Sequence, residues 1–516
     1  MTTSVLERMR ATGRIVLGDF RVDRPPAPDG RHGGREWSDA EVLRTIRRRS
    51  LAALRREIEP VPPEELARFL PGWQGLGHSA TRGVDGLLRT VEQLAGVPLP
   101  VSALETLVLP SRVADYAPRW LDELTLAGEI VWAGAGSLPN HDGWIVLAPT
   151  DTADLLLPLP ESDSLEPLHR ALLDALDGDQ ALFYRALADR ASTAGIAGVD
   201  DGAIAAAIWD LVWAGWLTND TLGPVRSLLG ASRSTTQPRR RRTPRGRYAR
   251  YAGLAAGAGS GQGRAAAGRT APPAMAGRWS RLPQPEADPT RRAVALADVL
   301  LDRYGVVTRG AVVAESVSGG FSAVYPVLKA AEESGRVRRG YFVEGLGASQ
   351  FAAPGAIDRL RTQYRGREEA TASALVVAAA DPANPYGAAL PWPDRPASIH
   401  DDPALPTGDA DTARPATKPG RRGHQPARKA GALVVLVDGG CAIYVERGGR
   451  TVLSFTDDPG VLQPAADALA LAVRDGALGR LSVERADGAA VVTSPLGDAL
   501  EAAGFRPTPR GLRLRG

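Results

Sequence analysis

A helix–helix–helix–β-ribbon order that recurs three times, followed by a strand-rich stretch at 430–516, predicts a mainly α chain with α+β modules. In architectural terms this is tandem winged-helix domains followed by a C-terminal α+β module. Length supports several units, because 516 residues exceed the roughly 100–200 of one domain about threefold. Gly (57) and Pro (41) stand well above their average share of about 12%, which implies linkers between the units.

The first recurrence is Val84–Leu147. Helices are expected at Val84–Ala95, Ser102–Val108 and Ala117–Gly128, and strand Glu129–Trp132 pairs with Gly143–Leu147 across a Gly/Pro/Asn turn. The second is Glu166–Leu222, where Ile208–Leu217 reads as the third helix running into its strand. The third is Thr290–Phe351. There Val294, Leu296, Val299, Leu300 and Leu301 mark the apolar face of a helix that Gly305 stops. A short helix over Thr308–Glu315, a Ser318-Gly319-Gly320 turn and a helix over Phe321–Ser334 follow. Strands are expected at Arg336–Arg339 and Tyr341–Val343, with extended chain at Ser349–Ala352. A Leu-x-x-Ala-Gly-x-Ile/Leu string at Leu124–Ile130 and Leu211–Leu217, looser at Ala331–Val337, agrees with repetition.

Ala432–Leu436, Cys441–Glu446 and Thr451–Phe455 read as a meander. Helix Pro464–Arg474, strands Leu481–Glu484 and Ala489–Thr493, helix Pro495–Ala503 and strand Leu512–Leu514 complete the module. At the other end, Met1–Val22 offers a short helix and a strand with no core of their own. Gly230–Pro283 and Asp381–Lys429 are poor in large aliphatics and cannot bury enough apolar surface to offset chain entropy. The expected organisation is 1–35 remnant and linker, 36–158 helical segment plus winged helix, 162–230 winged helix, 231–283 basic linker, 284–365 winged helix, 381–429 linker, and 430–516 α+β module.

Composition excludes several classes. One cysteine, Cys441, is incompatible with a disulfide framework or a thiolate zinc site. No stretch reaches 18 apolar residues and Met1–Arg10 has no apolar h-region, so no membrane contact and a cytoplasmic setting are the default. None of the three lysines, Lys329, Lys418 and Lys429, follows a glycine, which removes the phosphate-binding loop of ATP hydrolysis. The six histidines are scattered without metal-type spacing, and no Gly-x-Ser-x-Gly elbow exists. No cofactor is expected.

The net charge is only +3, and the excess of Arg over Lys is what GC-biased codon usage produces. Position is more informative. Arg239, Arg240, Arg241, Arg242, Arg245, Arg247 and Arg250 crowd one tract, with Tyr248 and Tyr251 interleaved. Arginines neutralise phosphates and tyrosines stack on unpaired bases, so the tract is a candidate nucleic-acid contact. A second candidate is the ribbon of the third unit, with Arg336, Arg338, Arg339 and Tyr341.

The strings Leu300–Gly310, Gly319-Gly320-Phe321 and Gly335–Phe351 closely resemble the C-terminal region of the bacterial large helicase-related (Lhr) family. Glu36–Leu43, Arg47–Leu54 and Leu107–Trp132 resemble it too. The resemblance implies DNA repair and a self-associating domain of tandem winged helices, with a tetramer the implied state. The partners it implies are single-stranded or damaged duplex DNA and a separate helicase core, through which alone ATP would act. The same region is similar to AlkZ-type DNA glycosylases, through Leu107–Tyr116, Trp120–Leu124 and Gly128-Glu129. That family's Gln-x-Gln or Gln-x-Asp motif falls on Gln74, which makes Gln74 a candidate catalytic residue, with Trp73 or Tyr116 to stack a base. The second motif position falls on Leu76, which neither positions water nor stabilises a sugar cation. Three readings follow: a DNA-binding, self-associating domain of a repair helicase without its motor; a DNA glycosylase acting on uracil, alkylated or crosslinked bases; and a purely structural scaffold.

Overall fold

The structure, a computed structural model, describes residues 2–18, 36–46, 49, 59–77, 80–161, 165–193, 200–233, 272–365, 373–395 and 424–515. The N-terminal unit is helix α1 (Thr2–Ala11) and strand β1 (Ile15–Gly18), which pairs antiparallel with β2 (Glu36–Asp39). Helix α2 (Pro63–Trp73) starts on a proline, which lacks only an amide that no helix N-terminus could use. Gln74 is its C-cap residue.

Three modules with one connectivity follow. In the first, β3 (Thr81–Arg82) leads into α3 (Gly83–Leu94), β4 (Leu99–Pro100) and α4 (Val101–Ala103), which runs into a π turn at Leu104–Val108. Then come β5 (Val113–Ala114), α5 (Pro118–Leu126), and the hairpin β6 (Ile130–Leu138) and β7 (Asp142–Pro149). A short α6 (Ala153–Leu156) joins it to the second module. That module comprises α7 (Pro167–Ala175), β8 (Leu182–Phe183), α8 (Tyr184–Ser192), α9 (Asp201–Trp213), β9 (Leu217–Asn219), α10 (Gly223–Arg233) and β10 (Arg278–Arg281). The third has α11 (Pro289–Tyr304), β11 (Val306–Val307), α12 (Arg309–Ala314), α13 (Phe321–Glu333), β12 (Arg338–Gly340) and β13 (Gln350–Ala352), and α14 (Ala356–Arg365) follows it.

The sheets of the three modules run β4-β7-β6, β8-β10-β9 and β11-β13-β12. In each, the last strand lies between the first and the second, so the fold is the same winged helix three times. Two expectations are corrected here. The ribbon of the third module pairs Arg338–Gly340 with Gln350–Ala352, and Tyr341–Val343 is its loop rather than its second strand. The linker expected at 231–283 ends in ordered chain, because β10 pairs with both β8 and β9 and Trp279 is fully buried. Strands β9 and β10, which pair across the second module's ribbon, are thus separated by 58 residues of chain, Asp220–Gly277.

The linker expected at 381–429 is also ordered at both ends, over 381–395 and 424–429. It leaves from β14 (Ala374–Ala378) and returns to β15 (Leu433–Val437), which pair with each other. They begin a six-stranded sheet, β14-β15-β16-β17-β19-β20, with β16 at Gly440–Val445, β17 at Thr451–Ser454, β19 at Arg485–Ala486 and β20 at Ala489–Ala490. Helix α15 (Pro459–Arg474) buries Leu462, Ala466, Leu469 and Val473, spaced as one helical face. Strands β18 (Leu481–Val483), β21 (Arg506–Thr508) and β22 (Gly511–Leu514) form a last sheet, with α16 (Pro495–Ala502) between β20 and β21. Among the described residues, no helix is long and apolar enough to cross a membrane.

A buried ion pair ties these parts together. Arg112 donates from both terminal nitrogens to the Asp381 carboxylate, at 2.9 and 2.6 Å, with both side chains 1% exposed. Gln74 Oε1 accepts from the same guanidinium at 2.7 Å. Elsewhere, first and second modules meet by backbone approach, since a Cβ on Gly134 of β6 would run into the Val212 carbonyl of α9.

Asp381→Ala leaves a buried guanidinium uncompensated and should cost about 3–5 kcal/mol in a urea titration. Gly134→Ala, which overfills a backbone contact, should lower stability by about 1–3 kcal/mol by the same measurement. It should do so while leaving the isolated helical content of the far-ultraviolet spectrum unchanged.

Candidate nucleic-acid interface

A winged helix reads duplex with its third helix and touches backbone with its wing. The three copies here differ in whether those surfaces are free. In the first module, the third helix α5 carries Asp122 and Glu123, and Asp122 is already engaged. Arg226 of α10 donates to Asp122 at 2.6 Å and to both oxygens of Glu105 at 2.6 and 2.8 Å. Burial alone would lower the Arg226 pKa, but the bonds to Glu105 and Asp122 outweigh it and raise it. Tyr116 donates to Glu105 at 2.6 Å, and burial, reinforced by Glu105, pushes its phenol well up. The wing tip of this module, a left-handed turn at Asn140 and His141, is held by Arg447, which donates to the Pro139 carbonyl at 3.0 Å.

In the second module, the third helix α9 buries Ile204, Ala207, Ile208, Leu211 and Val212 and exposes Ala203, Ala206 and Asp210. Its C-terminal end packs on the first module's hairpin, where Val212 abuts Gly134 and the Trp213 ring abuts Gly143. Trp132 of β6 donates to the Asn219 carbonyl at 2.9 Å, just beyond that helix. Trp209 stacks on Trp213 and meets Trp279 edge-on, with ring centroids 5.5 and 5.7 Å apart.

The third module differs. Its helix α13 buries Val324, Leu328 and Ala331 and exposes Ser322, Pro326, Lys329, Ala330 and Glu333 along the opposite face. The helix begins at Gly320, whose φ of +59° excludes most side chains from the turn that brings the backbone to its N-terminus. The expected ribbon residues divide by role. Arg338 is exposed on β12. Arg336 is exposed but pairs with Asp298 at 2.9 Å. Arg339 lies over the Tyr325 and Phe351 rings at 5.4 and 5.7 Å and donates to Ser349, so it ties the ribbon to α13. Tyr341 is 40% exposed, and its oxygen accepts from the Gly345 amide at 2.8 Å.

The basic tract, with Arg239, Arg240, Arg241, Arg242, Arg245, Arg247, Tyr248 and Arg250, lies outside the described residues; its described flanks are α10 and the turn before β10. Gln74, the glycosylase-motif candidate, is 1% exposed with its oxygen held by Arg112, and Leu76 beside it is buried as well. Trp73 donates to the Asp302 carbonyl at 2.7 Å, and its ring is stacked by Phe69 and overlaid by Arg359. Among the described residues, no group of three or more His, Cys, Asp and Glu side chains is placed to hold a metal. Lys329 and Ser322 were missed in the sequence; the apolar spacing of Val324, Leu328 and Ala331 would have pointed to them as the opposite face.

Comparison with known proteins agrees with this geometry. Residues 61–150 and 286–372 each match a family model described as the winged-helix domain of the large helicase-related protein. The chain is 43% identical over its whole length to a Mycolicibacterium smegmatis protein named Lhr helicase/probable uracil glycosylase, covering 32% of that protein. It is 35% identical over 92% of its length to the Escherichia coli Lhr helicase/uracil glycosylase, covering 30% of it. The chain thus spans about a third of the length of these curated relatives. Among solved structures, the Streptomyces sahachiroi DNA glycosylase AlkZ overlaps 83% of this chain and 100% of its own, with 14% identity and a TM-score of 0.44. By its two domain matches and its whole-length kinship with one stretch of the longer proteins, the chain belongs to the winged-helix part of the large helicase-related (Lhr) family.

Proposed function

We propose that this chain is a nucleic-acid-binding domain serving an Lhr-type DNA-repair helicase, without a motor or cofactor of its own, and that its duplex contact is the third winged helix. The observation that carries this is the difference among the three third helices. Helix α5 exposes Glu123 and gives Asp122 to Arg226, and α9 exposes Asp210 and packs its C-terminal end on a neighbouring hairpin, whereas α13 exposes Ser322, Pro326, Lys329 and Ala330 beside exposed Arg338. Small side chains let a helix approach the groove floor, and Lys329 and Arg338 supply charge for flanking phosphates. The basic tract at Arg239–Arg250 adds a second electrostatic contact suited to single-stranded or distorted DNA, with its tyrosines stacking on unpaired bases. Self-association, to a tetramer, and attachment to a separate helicase core belong to the same reading.

Lys329→Ala and Arg338→Ala should each weaken duplex binding about 3- to 10-fold and reduce the slope of log affinity against log salt by about one. Arg119→Ala, an exposed arginine on the clasped α5, should leave both unchanged in the same fluorescence-anisotropy titration. Equal losses for all three variants would remove the assignment to the third module. Neutralising Arg239–Arg242 should flatten the salt dependence by several units, and light scattering reads the oligomer directly.

A second reading, DNA base excision, is favoured by the names of both relatives, which match 92–100% of this chain. It predicts abasic product from uracil-containing DNA incubated with the chain alone, reduced by Gln74→Ala. No such product across a panel of uracil, alkylated and crosslinked substrates sinks it.

A further inference from the structure

The wing loop of the third module, residues 341–349, is not built like a flexible flap. Gln350, fully buried at the start of β13, spends its whole amide on that loop. Its Oε1 accepts from the Phe342 amide at 3.0 Å and the Val343 amide at 2.9 Å. Its Nε2 donates to the Val343 carbonyl at 2.7 Å and the Gly347 carbonyl at 2.8 Å. A glutamine side chain has two acceptor and two donor positions of this kind, and all four are used on one turn of chain.

The other side of the loop is held as firmly. Val61, just before α2, donates to the Phe342 carbonyl at 2.9 Å and accepts from the Glu344 amide at 2.9 Å. Phe342 and Val343 are buried in the core that α2 shares with the C-terminal sheet. Arg339 then locks the ribbon's base to Tyr325 on α13. The wing, the recognition helix and the α2 unit are thus one rigid surface.

We propose that Gln350 is the positioning residue of the nucleic-acid interface: it holds the wing loop in its binding shape before DNA arrives, so that Arg338 and the loop's exposed edge meet the backbone without an ordering cost. This rests on the reading of the third module as the duplex contact. Ordering a loop on binding subtracts from affinity, and a preset loop avoids that loss. Gln350 itself, being fully buried, touches no DNA.

The experiment uses the full chain and a short duplex, with Arg338→Ala, Gln350→Met and the double variant. Methionine fills the space of glutamine but offers the loop amides no acceptor of comparable strength. Gln350→Met should speed hydrogen exchange at the Phe342 and Val343 amides at least tenfold and weaken binding about fivefold, with the salt slope reduced by about one. The double variant should bind no more weakly than the weaker single, because a loosened wing no longer presents Arg338. Additive losses would overturn the proposal, since a merely structural weakening adds to the loss of a contact.

If Gln350→Met unfolds the module, Gly347→Ala takes its place. Gly347 sits at φ +78° with open space where a Cβ would go, so alanine strains the loop where Nε2 grips it without any clash. Wild-type affinity for Arg338→Ala removes the interface reading itself. A weak Arg338→Ala beside wild-type affinity for Gln350→Met and Gly347→Ala removes only the wing-setting role.

Discussion

The structure depends on one buried guanidinium. Arg112 stands at the end of the first winged helix's π turn, and its two-pronged bond to Asp381 reaches chain 269 residues away. A charge in that position is tolerable only because a carboxylate, the Val108 carbonyl and Gln74 Oε1 surround it. The pair pins the loop at 379–392 between the first module and the C-terminal sheet. Arg428 then donates to the carbonyls of Ala380, Asp381, Asn384 and Tyr386 on the same loop. Burial lowers its pKa, with Tyr304 and Asp381 acting against that fall. Two arginines, Arg112 and Arg428, therefore converge on one loop.

The three winged helices show how one topology serves different ends. Each has the same strand order, so the backbone does not decide which copy meets a ligand. What differs among the copies is the outer face of the third helix. Helix α9 buries Ile204, Ile208, Leu211 and Val212 and exposes Ala203, Ala206 and Asp210. Helix α5 offers carboxylates, which repel phosphate and attract Arg226. Helix α13 offers Ser322, Ala330 and Lys329, the last pairing with Glu333 at 3.9 Å. The first two copies are joined through Arg226 and the Gly134 contact, and the third packs on the first through buried Arg303, which donates to the Gln93 and Ala95 carbonyls.

Much of this was legible in the sequence. Helical periodicity located α3, α5, α11 and α13 to within a residue or three, and alternating apolar residues located the β15–β17 meander. The first strand of each module escaped notice because two residues of extended chain carry no period. Strand β10 and the loop at 379–392 were read as linker for a physical reason: their Gly, Pro and Arg content cannot form a local core. Their burial comes from partners more than fifty residues away, as Trp279 does against Asn219 and Asp381 against Arg112.

The amino-acid order by itself determined the repeating helices, the strand-rich end and the absence of a phosphate-binding lysine loop, because period, turn chemistry and motif spacing are local properties. It also placed the ribbon arginines as candidates. Only the tertiary structure decided which of them faces solvent, that Gln74 is buried against Arg112, and which side chains each third helix exposes. Availability is a property of what packs on a surface, and the residues that engage Asp122 of α5 and the C-terminal end of α9 come from other modules, at separations no local pattern encodes.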